Sequence, residues 1–401
     1  SDLAKENGLE LDLEEYENLM NVQRKNAQKN SKFEALLPSA INLEEETEFV
    51  GYKFNSAESV VKLIFQNGEK VDFVASGDCV IILDKTPFYG ESGGQVGDSG
   101  KMMSKNFEVK VLDTQKVGNF YLHICHIEKG EVRVNQKLKA EININRRNAI
   151  TSNHSATHLM HSALRNNLGI HVQQKGSLVN EEKLRFDFSH KQKVTAKEIS
   201  KIEQEVNSEI RSAKDTQVIE TTYEESQKLG ALAFFGEKYG DKVRVLKICE
   251  EYSVELCGGT HVKNSLDIKS FKIISETSIS SGVRRIEAIS GDLAIKNKVE
   301  SKTDLLNTAK AFKVSVKDLP KYLEDKLKLL NTHRQNLNKI EQKIHQSLLQ
   351  EMKTSMKSLR NMNVIFKRID NLNLSKLRGS LDSLKKEMGN LIIILIGSME
   401  E

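Results

Sequence analysis

The 401-residue sequence has no tryptophan, only three prolines and four cysteines, and few aromatic residues. Each scarcity excludes something. Four thiols (Cys79, Cys125, Cys249 and Cys257) in so long a chain are no disulfide framework, so a reducing compartment, the cytoplasm, is expected. Three prolines leave no room for long proline-rich linkers. No apolar run approaches the roughly 20 residues of a membrane span. The longest such run, Leu391–Ile396, has the length of a strand, and no membrane partner is expected. The acidic N-terminus is unlike a secretory or transit peptide. The chain opens on Ser1 rather than Met, which reads as the boundary of a piece of a longer protein.

What is present is a charged composition of uneven layout. The net charge is +4, yet residues 1–48 carry five basic and twelve acidic side chains, and residues 301–360 carry thirteen basic and six acidic. That asymmetry suits a polyanionic partner toward the C-terminal half. The length allows two or three domains.

Patterning divides the chain. Leu13, Tyr16, Leu19 and Met20 recur at helical spacing, so a helix is expected over residues 13–27, with Pro38 as a break. From about 47 to 144 the period becomes two. Residues 60–65, an Asn67-Gly68 turn and residues 71–74 read as a hairpin, with further strands at 80–83, 107–112, 120–127 and 138–144. Closely spaced short strands suggest a small barrel or a strongly curved sheet. A helix is expected over 147–168, a strand over 184–188, a helix over 196–211, and strands over 243–248 and 271–276. After about 295 the chain reads as helical again. Leu323, Leu327, Leu330, Leu337, Ile344 and Leu348 form a coiled-coil-like seam, imperfect at Arg334 and Glu341. The tail reads as strand 364–369, helix 374–388 and strand 391–396, a unit that looks truncated and has a sticky edge. The class is α+β.

Two motifs carry the chemistry. His154-Ser-Ala-Thr-His158 and Cys257-Gly-Gly-Thr-His261 each place two metal-ligand side chains four residues apart. At i and i+4 on a helix, both imidazoles leave one face, and a Gly-Gly turn lets a thiolate approach an imidazole. Three imidazoles and one thiolate suit zinc. Whether all four bind at once, leaving a structural site, or one position stays open for chemistry is undecided by spacing. Gln174 and His171, just after the helix, are candidates to position a substrate or water. Gly93 and Gly94 permit close backbone approach to a carboxylate, ester or phosphate. The pairs Arg146-Arg147 and Arg284-Arg285 are candidates for phosphate contact. His161 is read as a packed helix residue rather than a fifth ligand.

Further runs carry a resemblance. Thr86-Pro-Phe-Tyr-Gly-Glu-Ser-Gly-Gly-Gln-Val-Gly-Asp98, Asn153-His-Ser-Ala-Thr-His-Leu159, Gln174-Lys-Gly-Ser177, Leu184-Arg-Phe-Asp-Phe188, Glu255-Leu-Cys-Gly-Gly-Thr-His-Val262 and Gly282-Val-Arg-Arg-Ile-Glu-Ala288 resemble the editing region of alanyl-tRNA synthetases, in order and over essentially the whole chain. The resemblance implies a helical linker over 1–38, the barrel part of the editing region over 39–145, a zinc-containing editing domain over 146–296, coiled-coil helices over 297–361 and the start of a tRNA-binding, dimer-forming domain over 362–401. It implies hydrolysis of seryl or glycyl esters wrongly attached to the acceptor end of tRNA(Ala). Zinc is expected on His154, His158, Cys257 and His261. Gln174 and Thr86 are expected in catalysis, and Gly93, Gly94, Gln95, His171, Arg284 and Arg285 in substrate binding. Self-association through the coiled coil and tail is also implied. The family's ATP-dependent alanylation core has no expected counterpart, so aminoacylation is not expected.

Physics gives such a site its reason: a pocket shaped for alanine rejects glycine and serine weakly, so a second, hydrolytic site must discriminate. Competing readings are a free-standing editing factor, an inactive zinc-stabilised tRNA-binding module, and the related editing fold of threonyl-tRNA synthetases. A metalloprotease is disfavoured, because no Glu follows the first His of the helix motif.

Overall fold

A computed structural model describes residues 46–233, 242–360, 362–368 and 381–396, except 383 and 387. The expected helix over 13–27 and the break at Pro38 lie outside the described residues. The chain divides into two compact units, residues 1–299 and 300–401.

The first unit begins with a closed barrel. Strands β1 (Ser56–Gln66), β2 (Gly77–Leu83), β3 (Gly100–Met103), β4 (Glu108–Val117), β5 (Phe120–Lys129) and β6 (Lys137–Ile142) pair antiparallel in the order β6-β3-β4-β5-β2-β1. Pairing of β6 back onto β1, from Lys137 opposite Val60 to Glu141 opposite Ser56, closes the ring and removes its edges. Period-two burial puts Val61, Ile81, Met102, Val109, Cys125 and Leu138 inside. The Asn67-Gly68 turn forms as expected, both residues at positive φ. Its second strand differs: it is split into Glu69–Val71, which pairs with β1, and Phe73–Val74, which pairs with Val132–Arg133.

Helix α1 (Ile144–Leu168) follows, capped by Asn143, whose Oδ1 accepts from Arg146 N at 3.2 Å. From Ser152 to Leu164 every residue of it is buried, so it is enclosed on all sides. It packs with α2 (Ala196–Arg211) against a four-stranded antiparallel sheet. The sheet order is β7 (Gln174–Val179), β8 (Leu184–Ser189), β13 (Val283–Ser290) and β12 (Phe271–Ser280). Leu159, Met160, Phe186, Phe188, Ile202, Val206 and Ile286 meet in this core. Helix α2 starts at a capping box, Thr195 with Glu198, and buries Ile202, Val206 and Ile210 at four-residue spacing. A smaller sheet joins β9 (Gln217–Thr222), β10 (Lys242–Ile248) and β11 (Ser253–Leu256), with α3 (Tyr223–Lys228) between β9 and β10 in the chain.

Barrel and α1 are tied by Arg147. Its guanidinium pairs with Asp98 in the barrel's glycine-rich loop and donates to Gly51 O at 3.0 Å and Pro87 O at 2.9 Å. Arg147 is therefore committed inside, and the expectation that it meets phosphate is corrected: its donors are spent on buried acceptors.

Helix α4 (Gly291–Ala311) crosses the boundary between the units. The second unit holds α5 (Leu319–Thr354), with Pro320 in its first turn, then β14 (Lys357–Leu359), β15 (Met362–Arg368) and β16 (Leu391–Ile396). β15 and β16 pair in parallel, and Met352, Ile365, Leu384 and Leu391 form the local core. The expected helix over 374–388 lies partly outside the described residues; 381, 382, 384–386 and 388 are helical. The apolar seam Leu323, Leu327, Leu330, Leu337 and Ile344 lies exposed along α5.

Candidate metal centre

Helix α1 presents His154 and His158 from one face, and the turn after β11 presents Cys257 and His261. Their donor atoms all lie within 4.8 Å of one another. Cys257 Sγ is 3.5 Å from His154 Nε2 and 3.2 Å from His261 Nε2. His158 Nε2 is buried and makes no hydrogen bond. The outer nitrogens are engaged instead. His154 Nδ1 meets Gln95 Oε1 at 2.8 Å, His158 Nδ1 meets Glu255 Oε2 at 2.5 Å, and His261 Nδ1 meets Ser155 Oγ at 3.2 Å. Three Nε2 atoms and one sulfur thus converge, each ring held from behind, as is usual for metal-ligating histidines. A buried Nε2 lacking a partner has a reason to exist if it ligates an ion. The donor set fits zinc.

Electrostatics agree with a thiolate at the centre. Burial raises the Cys257 thiol, but the imidazoles of His154, His261 and His158 outweigh it and hold it well below the usual range. Burial drives His261 down to about 3. Burial also works against a charged His158, yet Glu255 and Cys257 raise it to about 10. Burial pushes the Glu255 carboxyl up, and His161 and His158 more than reverse this, leaving it at about 2.

The Gly-Gly turn is held by its carbonyls. Arg244 Nη1 donates to Cys257 O at 3.2 Å and Gly259 O at 2.8 Å, and Tyr52 Oη donates to Gly258 O at 2.5 Å. The Arg244 guanidinium also lies 4.2 Å from the centre of the Tyr52 ring. Two glycines permit the close packing here. A Cβ on Gly259 would sit 2.1 Å from His154 Cε1, and one on Gly94, at φ +83°, would sit 2.5 Å from Ser177 O.

A cavity of about 530 Å³ opens against this centre. His154, His158 and Cys257 line it, with Gln174, Ser177, Gly93, Tyr52, Tyr89, Lys116 and Arg244. Of the residues expected from sequence, Gln174 and Gly93 therefore face the cavity beside the ligands. Others do not. Thr86, expected in catalysis, is fully buried in the barrel, where Oγ1 meets His123 Nε2 at 2.7 Å. Gly94 packs against Ser177, and Gln95 is buried with its amide bonded to His154 and Thr260. His171 Nε2 meets His190 Nδ1 at 2.9 Å in an exposed pair away from the cavity lining. Arg284 is paired with Glu276, and Arg285 with Asp187 through two bonds of 2.7 and 2.8 Å. The arginines alternate along β13 and spend their charge on neighbouring strands, so they are not presented to a substrate in the cavity.

Sequence reasoning missed Glu255, Ser155, Tyr52 and Arg244. Glu255 left one trace, an acidic residue between Val254 and Leu256 in a short apolar strand, which calls for a buried partner. The others left none. His161, read as a packed helix residue, is buried, and its Nδ1 meets Glu255 Oε1 at 2.7 Å.

Comparison with known proteins gives the same direction. Residues 1–146 match the family described as tRNA synthetases class II (A), and residues 243–287 match the threonyl and alanyl tRNA synthetase second additional domain. The chain is 40% identical to the alanine–tRNA ligase of Xanthomonas campestris pv. campestris strain B100 over 99% of its own length and 46% of that protein. It is equally 40% identical to the alanine–tRNA ligases of Saccharophagus degradans (98% and 45%) and Thermoanaerobacter sp. strain X514 (100% and 46%). The chain spans about half the length of these curated relatives. With the second additional domain carrying Cys257 and His261, and relatives of one kind along its whole length, the chain belongs to the alanyl-tRNA synthetase family.

Proposed function

We propose that this chain hydrolyses seryl or glycyl esters wrongly attached to the acceptor end of tRNA(Ala), at a zinc centre formed by His154, His158, Cys257 and His261. The observation that carries the reading is the cavity lined together by three of those residues and Gln174. When bound, zinc would supply Lewis-acid polarisation or a water of lowered pKa. The chain's own groups do the rest. Gln174 has an amide able to hold the attacking water by its oxygen or the ester carbonyl by its nitrogen. Ser177 offers a hydroxyl that can bond the serine side-chain oxygen, the one group that separates the wrong ester from the right one. Tyr52 and Tyr89 form an aromatic wall, and Lys116 a cationic one, suited to a nucleotide end.

The domain layout proposed with this reading is a linker over 1–38, barrel over 39–145, zinc-containing domain over 146–296, coiled coil over 297–361 and tail domain over 362–401. The location proposed is the cytoplasm, and the exposed seam of α5 is proposed to pair with a second copy. Incubating the chain with serine-charged and alanine-charged tRNA(Ala) tests the function. Serine should be released and alanine spared; no release by folded, metal-loaded protein contradicts it.

A further inference from the structure

Gln95 was expected from sequence to face a substrate, yet it is fully buried between the barrel loop, α1 and the Gly-Gly turn. Its carboxamide makes three hydrogen bonds. Oε1 accepts from Thr260 N at 2.9 Å, Nε2 donates to Thr260 Oγ1 at 2.9 Å, and Oε1 meets His154 Nδ1 at 2.8 Å. A backbone N–H can only donate, so the atom facing Thr260 N must be the amide oxygen. That oxygen can only accept, so His154 Nδ1 must carry the proton. The lone pair of a neutral His154 then lies on Nε2, the nitrogen 3.5 Å from Cys257 Sγ.

We propose that Gln95 is a positioning residue of the metal centre: it fixes the tautomer and ring orientation of His154 while pinning the turn that carries Cys257 and His261. The barrel thereby contributes to a metal site whose ligands all lie outside it. The surrounding glycines are consistent with this. A Cβ on Gly259 would sit 2.9 Å from Gln95 Oε1 as well as against His154, so the turn is kept bare where the amide and the imidazole meet. Neighbouring Ser92 and Val96 tie the loop down by backbone bonds, Ser92 N to Gln95 O at 3.1 Å and Val96 N to Val179 O at 3.1 Å, so Gln95 is delivered from a fixed base.

The inference rests on the reading of the four residues as a metal site, and the test separates the two. Zinc affinity of the full chain is measured by chelator competition for the parent, Gln95→Met and Gln95→Glu. Met keeps nearly the same volume but offers no acceptor. Glu keeps an acceptor for both His154 Nδ1–H and Thr260 N–H. The expected result is a 10- to 100-fold loss of affinity in Gln95→Met and a value within a few-fold of the parent in Gln95→Glu. With cobalt as a second probe, the visible band of a thiolate-bound ion should keep its shape in Gln95→Glu and change in Gln95→Met. Parent-like affinity and spectrum in Gln95→Met would overturn the positioning role and leave the metal site standing. A large loss in folded Gln95→Glu would also overturn it. A parent that takes up neither metal overturns both.

Discussion

Gln174 lines the cavity from the first residue of β7, at a bulge where Gln174 and Gly176 face consecutive positions of β8. Its amide makes no bond to any of the four ligands, so Gln174→Ala should fold and bind metal normally while serine release falls about 100- to 1,000-fold, the loss expected on removing one aligned polar group. An unchanged rate would remove Gln174 from the reaction. Gly259 is a different kind of residue, because it acts through what it lacks. Gly259→Ala places a Cβ 2.1 Å from His154 Cε1, so the ring or the turn must move. Zinc affinity should drop at least 10-fold by the same chelator competition, by displacing a ligand; a parent-like affinity would mean that the turn relaxes freely.

At the scale of elements, α1 is the member on which the site depends. From Ser152 to Leu164 it is buried all round, so polar side chains there need partners within the protein: Asn153 Nδ2 reaches Asn180 O at 2.8 Å, Ser152 Oγ meets Ser290 Oγ at 2.7 Å, and His158 Nε2, which makes no hydrogen bond, faces the other three ligands. Arg147 fastens its first turns to the barrel through Asp98. Arg147→Ala leaves the Asp98 carboxylate buried and uncompensated, which should cost about 3–5 kcal/mol in denaturant unfolding. A cost below about 1 kcal/mol would mean that the pair is no fastening. How legible these elements were varies with their signals. Helix α2 coincides with the expected 196–211, and its signals are local: Thr195 and Glu198 cap its start, and Ile202, Val206 and Ile210 form its buried face. β7 was missed because its six residues include Gly176 and only two apolar side chains, and β13 because Arg284 and Arg285 interrupt alternation. The four ligands were legible from their repeated spacing. Their anchors were not, because Gln95, Glu255 and Ser155 meet imidazoles 59, 97 and 106 positions away in the chain.

The first unit joins a closed barrel to an enclosed helix and sheet, and its stability should carry a pH signature from the barrel. His123 sits there without contact to solvent, with Nδ1 on Ile81 O at 2.8 Å and Nε2 against Thr86 Oγ1. Burial lowers it to about 4, from an ordinary value of 6.5. Its folded value lies below its unfolded one, so the unfolded chain takes up the proton first. The neutral ring's contribution is fully present above pH 6.5 and is lost as pH falls from about 6.5 toward 4, by up to about 3 kcal/mol. Thermal melts of parent and His123→Gln between pH 7 and 4.5 should differ in slope, with the variant flatter; parallel slopes would show that His123 titrates alike in both states. The seam along α5 makes a separate prediction. If it pairs with a second copy, sedimentation should give a dimer that Leu330→Lys with Leu337→Lys converts to monomer, whereas a parent that is monomeric at all concentrations ends that proposal.

On the proposed reading, a metal held by His154, His158, Cys257 and His261 serves ester hydrolysis in the adjoining cavity. Metal content and release of serine from seryl-tRNA(Ala), measured on the same samples of the intact chain and Cys257→Ala, test it most directly. About one zinc per intact chain is expected, set by a single four-ligand site, with serine released, and neither in the variant. Undiminished release from metal-free Cys257→Ala would contradict it.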